Sequence, residues 1–244
     1  ERQRAADLRA QNQVAGIVND IAGLTATELA QLRAHTIHAR AFDWAHNNTC
    51  DVLPDNASGD VDSRFRPGNI LFSYRSLDII GIIDRDSGEI VWAWGPGEVS
   101  APHDATVLPG GNILLFDNGR VPRGWSRVIE LDPLEKEIVW QYRAPDPKSF
   151  YSQAQGANQR LANGNTLITN SNSGQAFEVT PEGEVVWKWQ NPVMVGKHCE
   201  TFYRMIRLEA GPIDELIQER RDTAAHSSGP PMEGSPPRSP FVPW

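Results

Sequence analysis

The chain has 244 residues, 39% hydrophobic and 22% charged, the make-up of an ordinary globular protein of one or two domains. No stretch approaches the roughly 18–20 apolar residues that cross a bilayer, and a net charge of −8 without a basic stripe excludes nucleic acid as a partner. Two cysteines, Cys50 and Cys199, permit a single disulfide without fixing the compartment.

Opening on Glu1, the sequence reads as a processed or trimmed product. Residues 1–40 are rich in Ala, Leu, Gln, Arg and Glu, with Ile17, Ile21 and Leu24, then Leu29 and Leu32, at helical spacing. They predict one or two amphipathic helices, the second capped by Thr25 or Thr27.

From residue 41 to 209 the pattern changes to short strands. Gly68-Asn69, Gly111-Asn112 and Gly164-Asn165 each open an apolar strand, and each unit closes on an Ile/Val-Val-Trp strand at Trp92, Trp140 and Trp187. A recurrence of this size, built from strands, predicts propeller blades. The middle unit predicts strands at Ala105–Leu108, Asn112–Phe116, Arg127–Leu131 and Glu137–Tyr142, separated by Gly, Pro, Asn and Asp. In Trp92-Ala93-Trp94, Trp140-Gln141-Tyr142 and Trp187-Lys188-Trp189 the aromatics at i and i+2 share a sheet face, which predicts that this face is buried in all three units.

Phe202–Leu208 predicts a lone strand and Ile213–Arg221 a short helix. Residues 210–244 thus comprise that helix and a Pro-rich extended tail. The fold class is all-β: a propeller-like array of about three four-stranded antiparallel blades, with N-terminal helices and an irregular tail. Closed propellers have about four to eight blades, so three predict that another chain or a second copy completes the ring, or that terminal segments cover the sheet edges.

Ligands of propellers bind on loops near the axis, so polar residues entering a first strand or leaving a second carry weight. His46 and His103 precede the first strands of blades one and two, and the matching region of blade three, Gln155–Gln159, has no histidine. Histidine serves as nucleophile or general acid/base near neutral pH, and arginine clamps sulfate or phosphate oxygens by paired hydrogen bonds. Arg120, after the second strand of blade two, and Arg127, opening its third, are the candidate arginines. His35, His38 and His198 read as structural or exposed. No CxxC, HExxH or EF-hand spacing occurs, so neither a metal nor a cofactor is expected. Asn47-Asn48-Thr49 and Asn56-Ala57-Ser58 match the glycosylation sequon.

Asp43-Trp44-Ala45-His46-Asn47, Arg66-Pro67-Gly68-Asn69-Ile70-Leu71, Pro102-His103-Asp104-Ala105 and Phe116-Asp117-Asn118-Gly119, followed by Ser126-Arg127-Val128 and Gln159–Ile168, occur in this order. Over about residues 42–192 the chain resembles the bacterial-type, nucleotide-independent arylsulfotransferases, specifically the C-terminal half of their six-bladed propeller. The resemblance implies transfer of a sulfuryl group from a phenolic sulfate ester to a phenol through a sulfated histidine. It also implies phenolic small-molecule partners and a periplasmic or secreted address. On the matching motifs His46 and His103 correspond to two active-site histidines, and Arg120, or alternatively Arg127, to the sulfate-binding arginine. The histidine that becomes sulfated in the family lies downstream of the position of His103 and has no counterpart in these blades. A non-catalytic propeller-like scaffold or interaction subunit of a larger complex is the alternative function.

Overall fold

The computed structural model describes residues 45–208 and 210–227. The helices expected over residues 1–40, with His35 and His38, and the Pro-rich tail beyond Ser227 lie outside the described residues. One compact unit ends at Ile206 and a second begins at Arg207.

Three meanders follow one another in the first unit. β1 (Asn47–Val52), β2 (Ile70–Tyr74), β3 (Ile79–Ile83) and β4 (Ile90–Trp94) form blade 1. β5 (His103–Val107), β6 (Ile113–Asp117), β7 (Arg127–Asp132) and β8 (Glu137–Tyr142) form blade 2. β9 (Ala157–Arg160), β10 (Thr166–Asn170), β11 (Gln175–Val179) and β12 (Val185–Gln190) form blade 3. Within each sheet the strands lie in chain order with antiparallel neighbours, the blade-like arrangement the repeat predicts.

The Gly-Asn pairs make the hairpins that separate first and second strands. Gly68, Gly111 and Gly164 have φ of 92°, 90° and 87°, a region that a Cβ disfavours. The following asparagine uses its side chain to hold the turn: Asn112 Nδ2 donates to Glu130 Oε1 at 2.7 Å and Asn165 Nδ2 to Glu178 Oε1 at 2.7 Å. The motif therefore fixes both backbone and cross-strand geometry.

Blades pack face to face. Ile80, Ile82, Trp92 and Trp94 of blade 1 meet Ile113, Leu115, Ile129 and Leu131 of blade 2 in one core. Leu114, Phe116, Val128 and Tyr142 of blade 2 meet Ile168, Phe177 and Val179 of blade 3 in the next. Each junction is pinned by an indole: Trp92 Nε1 donates to the Pro133 carbonyl at 3.1 Å, and Trp140 Nε1 to the Pro181 carbonyl at 2.7 Å. A buried indole N–H needs such an acceptor, and in both cases a turn of the next blade supplies it.

The expectation of a buried aromatic face holds for Trp92 and Trp94, 0% and 7% exposed, and fails in blade 3, where Trp187 is 37% exposed. The same face of blades 1 and 2 is covered by the next blade, whereas Trp187 of β12 remains partly open to solvent.

Phe202–Leu208 does not pair as the predicted strand. A two-stranded ribbon, β13 (Met194–Val195) with β14 (His198–Cys199), precedes it. The segment is instead tied to the end of β10 through side chains, with Met205 N donating to Thr169 Oγ1 at 3.0 Å and Ser171 Oγ to the Tyr203 carbonyl at 2.9 Å. Cys50 and Cys199 are both free thiols. Asn56 is buried as the cap of α1 (Ala57–Val61), its Oδ1 accepting from Gly59 N at 2.9 Å, so its sequon is part of the fold.

The second unit contains α2 (Ala210–Ser227), longer than the expected run, with residues 214–221 exposed. No helix among the described residues is long and apolar enough to cross a membrane.

Candidate functional site

The site assembles where the chain enters blades 1 and 2. His46 precedes β1 with φ of 48°, and its carbonyl accepts Arg75 N at 3.1 Å. His103 is the first residue of β5 and is 3% exposed. The two rings meet edge to face with centroids 6.5 Å apart. The two histidines are not register equivalents, however. Val52 pairs with Ile70 and Val107 with Ile113, and His46 lies six residues before Val52 while His103 lies four before Val107. They converge through the bulge and bend of their strands, not by repetition.

His103 pairs with Phe116 and Ala157 with Thr169, each partner five residues after the glycine of Gly-Asn, so blade 3 has Ala157 in the place of His103, preceded by Gly156. A Cβ there would stand 2.5 Å from the Phe116 ring. Gly156, at φ of 152°, is therefore a close-packed point of the junction between blades 2 and 3.

Around His103 the hydrogen bonds determine the tautomer. Nδ1 lies 2.7 Å from Asn118 Oδ1 and 3.0 Å from the Ala101 carbonyl. Asn118 Nδ2 donates to the carbonyls of Ser152 at 2.6 Å and Gln155 at 2.7 Å, so its oxygen is the atom that faces the imidazole. Both neighbours of Nδ1 only accept, hence Nδ1 carries the proton and Nε2 the lone pair. Burial holds the His103 pKa below its ordinary 6.5; the bonds to Asn118 and Ala101 push it up, while the charges of Arg75 and His46 push it down. A neutral imidazole with a free Nε2 is a nucleophile or base.

Asp104, next in the chain, is 6% exposed and faces blade 3, where Oδ2 accepts Asn158 N at 2.7 Å and Oδ1 accepts Arg204. Burial raises its pKa, opposed by the Asn158 bond and the Arg204 charge.

The arginines divide. Arg120 pairs with Asp78 at 2.9 Å and donates to the Arg75 carbonyl, while Asp78 Oδ1 also accepts Ala101 N at 2.7 Å. Arg120 thus braces the loop that carries the Ala101 carbonyl to His103. Arg127 is committed elsewhere. It pairs with Arg123 on the fully buried Asp117, at 2.7 Å, and donates to the Glu98 carbonyl at 2.7 Å and to Gln141 at 3.3 Å. It sits directly opposite Asp117 in the β6–β7 register, and the carboxylate takes its guanidinium.

Arg75, at the end of β2, was not among the residues expected from the sequence, yet its charge acts on His103. A register signal was available. Arg75, Asn118 and Ser171 each lie seven residues after the glycine of Gly-Asn, so the residue beside His103 in blade 2 marks Arg75 in blade 1. His198 lies exposed in β14. Among the described residues no group of three His, Cys, Asp or Glu side chains is placed to hold a metal. A separate cleft of about 290 Å³ contains none of the histidines and is lined by Tyr142, Phe150, Phe177, Lys188 and neighbours.

The family model described as arylsulfotransferase (ASST) matches residues 15–192, nearly three quarters of the chain. No curated protein matches the sequence. Similar solved structures include a protein of unknown function from Bacteroides caccae, 21% identical with a TM-score of 0.39, covering 50% of this chain and 42% of that one. Another is virginiamycin B lyase from Staphylococcus aureus in a catalytically inactive form with quinupristin, 15% identical with a TM-score of 0.42, covering 62% and 43%. A streptogramin B lyase is 16% identical with a TM-score of 0.43, covering 61% and 41%. The chain spans less than half the length of each of these structures.

Proposed function

This chain belongs to the arylsulfotransferase family, and from that premise we propose that it transfers a sulfuryl group from a phenolic sulfate ester to a phenol through His103. The observation that carries the reading is the His46–His103 pair, in which hydrogen bonding leaves Nε2 of His103 with its lone pair. In the first half-reaction Nε2 attacks sulfur and the S–O bond to the aryl group breaks. A proton held on the His46 ring passes to the departing phenolate. The sulfuryl group then resides on His103, whose Nδ1 proton stays with Asn118 and Ala101. In the second half-reaction the acceptor phenol gives its proton to His46, its oxygen attacks sulfur, and the N–S bond breaks. The neutral imidazole returns. Arg75 is the cation that stabilises the sulfuryl oxygens, with Arg120 bracing the loop behind it. No nucleotide and no metal takes part in these steps, and the address of the protein is periplasmic or secreted.

The test is transfer from a chromogenic aryl sulfate to phenol by the intact native protein, with the His103→Ala variant as control. Turnover that disappears in the variant supports the reading. No turnover under conditions in which a related enzyme works, or full turnover without His103, ends it.

A second reading, a scaffold or interaction subunit closed by another chain or second copy, is favoured by the open face around Trp187. Analytical ultracentrifugation decides it: a monomer whose stability is unchanged on removal of residues 1–40 and 228–244 is incompatible with that role.

A further inference from the structure

We propose that Asn118 is the positioning residue of this site, holding His103 in the tautomer that keeps Nε2 nucleophilic and tying that tautomer to the loop that enters blade 3. The inference rests on the sulfuryl-transfer reading for its catalytic consequence, but not for its structural content.

A histidine side chain free in water carries its proton predominantly on Nε2, which leaves no lone pair there for attack when Nδ1 faces the protein. An acceptor fixed against Nδ1 reverses that preference, the part that a carboxylate or amide plays behind histidine in acyl-transfer triads. Asn118 is built for this. It is 0% exposed, it follows β6 directly, and both its Nδ2 hydrogens are used, on Ser152 and Gln155. A side chain with both donors occupied cannot turn its nitrogen toward His103 without breaking two buried bonds. The loop that supplies them is itself fixed: Ser152 N donates to Ser126 Oγ at 2.9 Å, Ser126 Oγ donates to the Asn118 carbonyl at 2.8 Å, and Ser126 N donates to the Phe150 carbonyl at 2.8 Å. Phe150 is a core residue of the junction between blades 2 and 3. The orientation of His103 is therefore set by packing two blades away from β1.

A neutral amide also has a consequence that a carboxylate would not. It orients the ring while favouring the imidazolium less than a charged carboxylate would, and burial still holds the His103 pKa below its ordinary value. The other groups that bear on it are His46 at the entry to β1, Arg75 at the end of β2, the Arg120–Asp78 pair behind Ala101, and Asp104, whose carboxylate is directed to Asn158 and Arg204. None of these replaces the acceptor at Nδ1, for which the Ala101 carbonyl at 3.0 Å is the longer partner.

The experiment is ¹⁵N NMR of histidine-labelled full chain, with transfer kinetics in parallel. In the wild-type protein His103 is expected as the Nδ1–H tautomer, titrating below the ordinary histidine value. Asn118→Asp is expected to raise that titration and move the acid limb of kcat/KM upward. Asn118→Leu, similar in size without an acceptor, is expected to lower kcat roughly 100-fold with KM nearly unchanged. An Nε2–H tautomer in the wild type overturns the proposal, as does an Asn118→Leu protein that keeps both tautomer and kcat. The wild-type spectrum decides the matter even where a variant fails to fold. Absence of any aryl sulfate turnover in the wild type would remove the transferase reading, while the spectrum would still decide the role of Asn118.

Discussion

Blades 2 and 3 follow one sequence plan and differ in what their last strands touch. In blade 2 the Trp140–Tyr142 face lies on Ile168, Phe177 and Val179 of blade 3, and the Trp140 indole reaches the Pro181 carbonyl. In blade 3 the equivalent Trp187 faces no further blade among the described residues and is 37% exposed. The strand forms in both cases, because alternation and turn chemistry act locally, but burial is decided by the neighbour. The motif encodes a strand with a sticky face, and the array determines whether that face is satisfied.

The comparison can be broken most forcefully at the covered junction. Trp92→Ala, which removes a fully buried ring and its bond to Pro133, is expected to cost about 4 kcal/mol in denaturant unfolding. Asp117→Ala leaves Arg123 and Arg127 without their shared carboxylate and frees Ser100 N, which now donates to Asp117 Oδ1 at 2.8 Å. The expected loss, read the same way, is about 3 kcal/mol. At the open face Trp187→Ala is expected to cost about 1 kcal/mol, since much of the ring is already hydrated. A loss as large as that of Trp92→Ala would mean that something covers blade 3 in solution.

The smallest effect is on pH dependence. His103 has its folded pKa below the unfolded value near 6.5, so the unfolded chain binds the extra proton first. Stability is therefore full above about pH 6.5 and declines as pH falls from there toward the folded pKa. Unfolding midpoints between pH 7.5 and 5 should show this slope in the wild type and a reduced one in His103→Phe.

Much of the fold was legible because the repeat has three independent markers: glycine at a positive-φ turn, asparagine that closes it, and paired aromatics on the last strand. They located three four-stranded units that no single propensity would have fixed. The aromatic and apolar composition of Phe202–Leu208 signals a strand, whereas pairing needs a partner edge, and the segment is held instead through side chains, those of Thr169, Ser171 and Asp104 among them. At the site, His46 and His103 were found for an incomplete reason: both enter first strands, but their registers differ by two residues. Arg127 was attractive as a cation beside the blade-two loop, and the cross-strand pairing that hands it to Asp117 is not written in spacing. Arg75 lies outside the strand-entry positions that mark the histidines, although the count of seven residues from Gly68 leads to it.

The graded burial of the last-strand tryptophans also makes the array report on itself. Indole emission shifts to the blue on losing water, so Trp92 should emit as an apolar residue and Trp187 as a hydrated one. Any macromolecule that settles on the free end of the array would blue-shift Trp187 alone. A Trp187→Phe protein would lose that signal, and a titration followed by fluorescence would read occupancy of that end without a label.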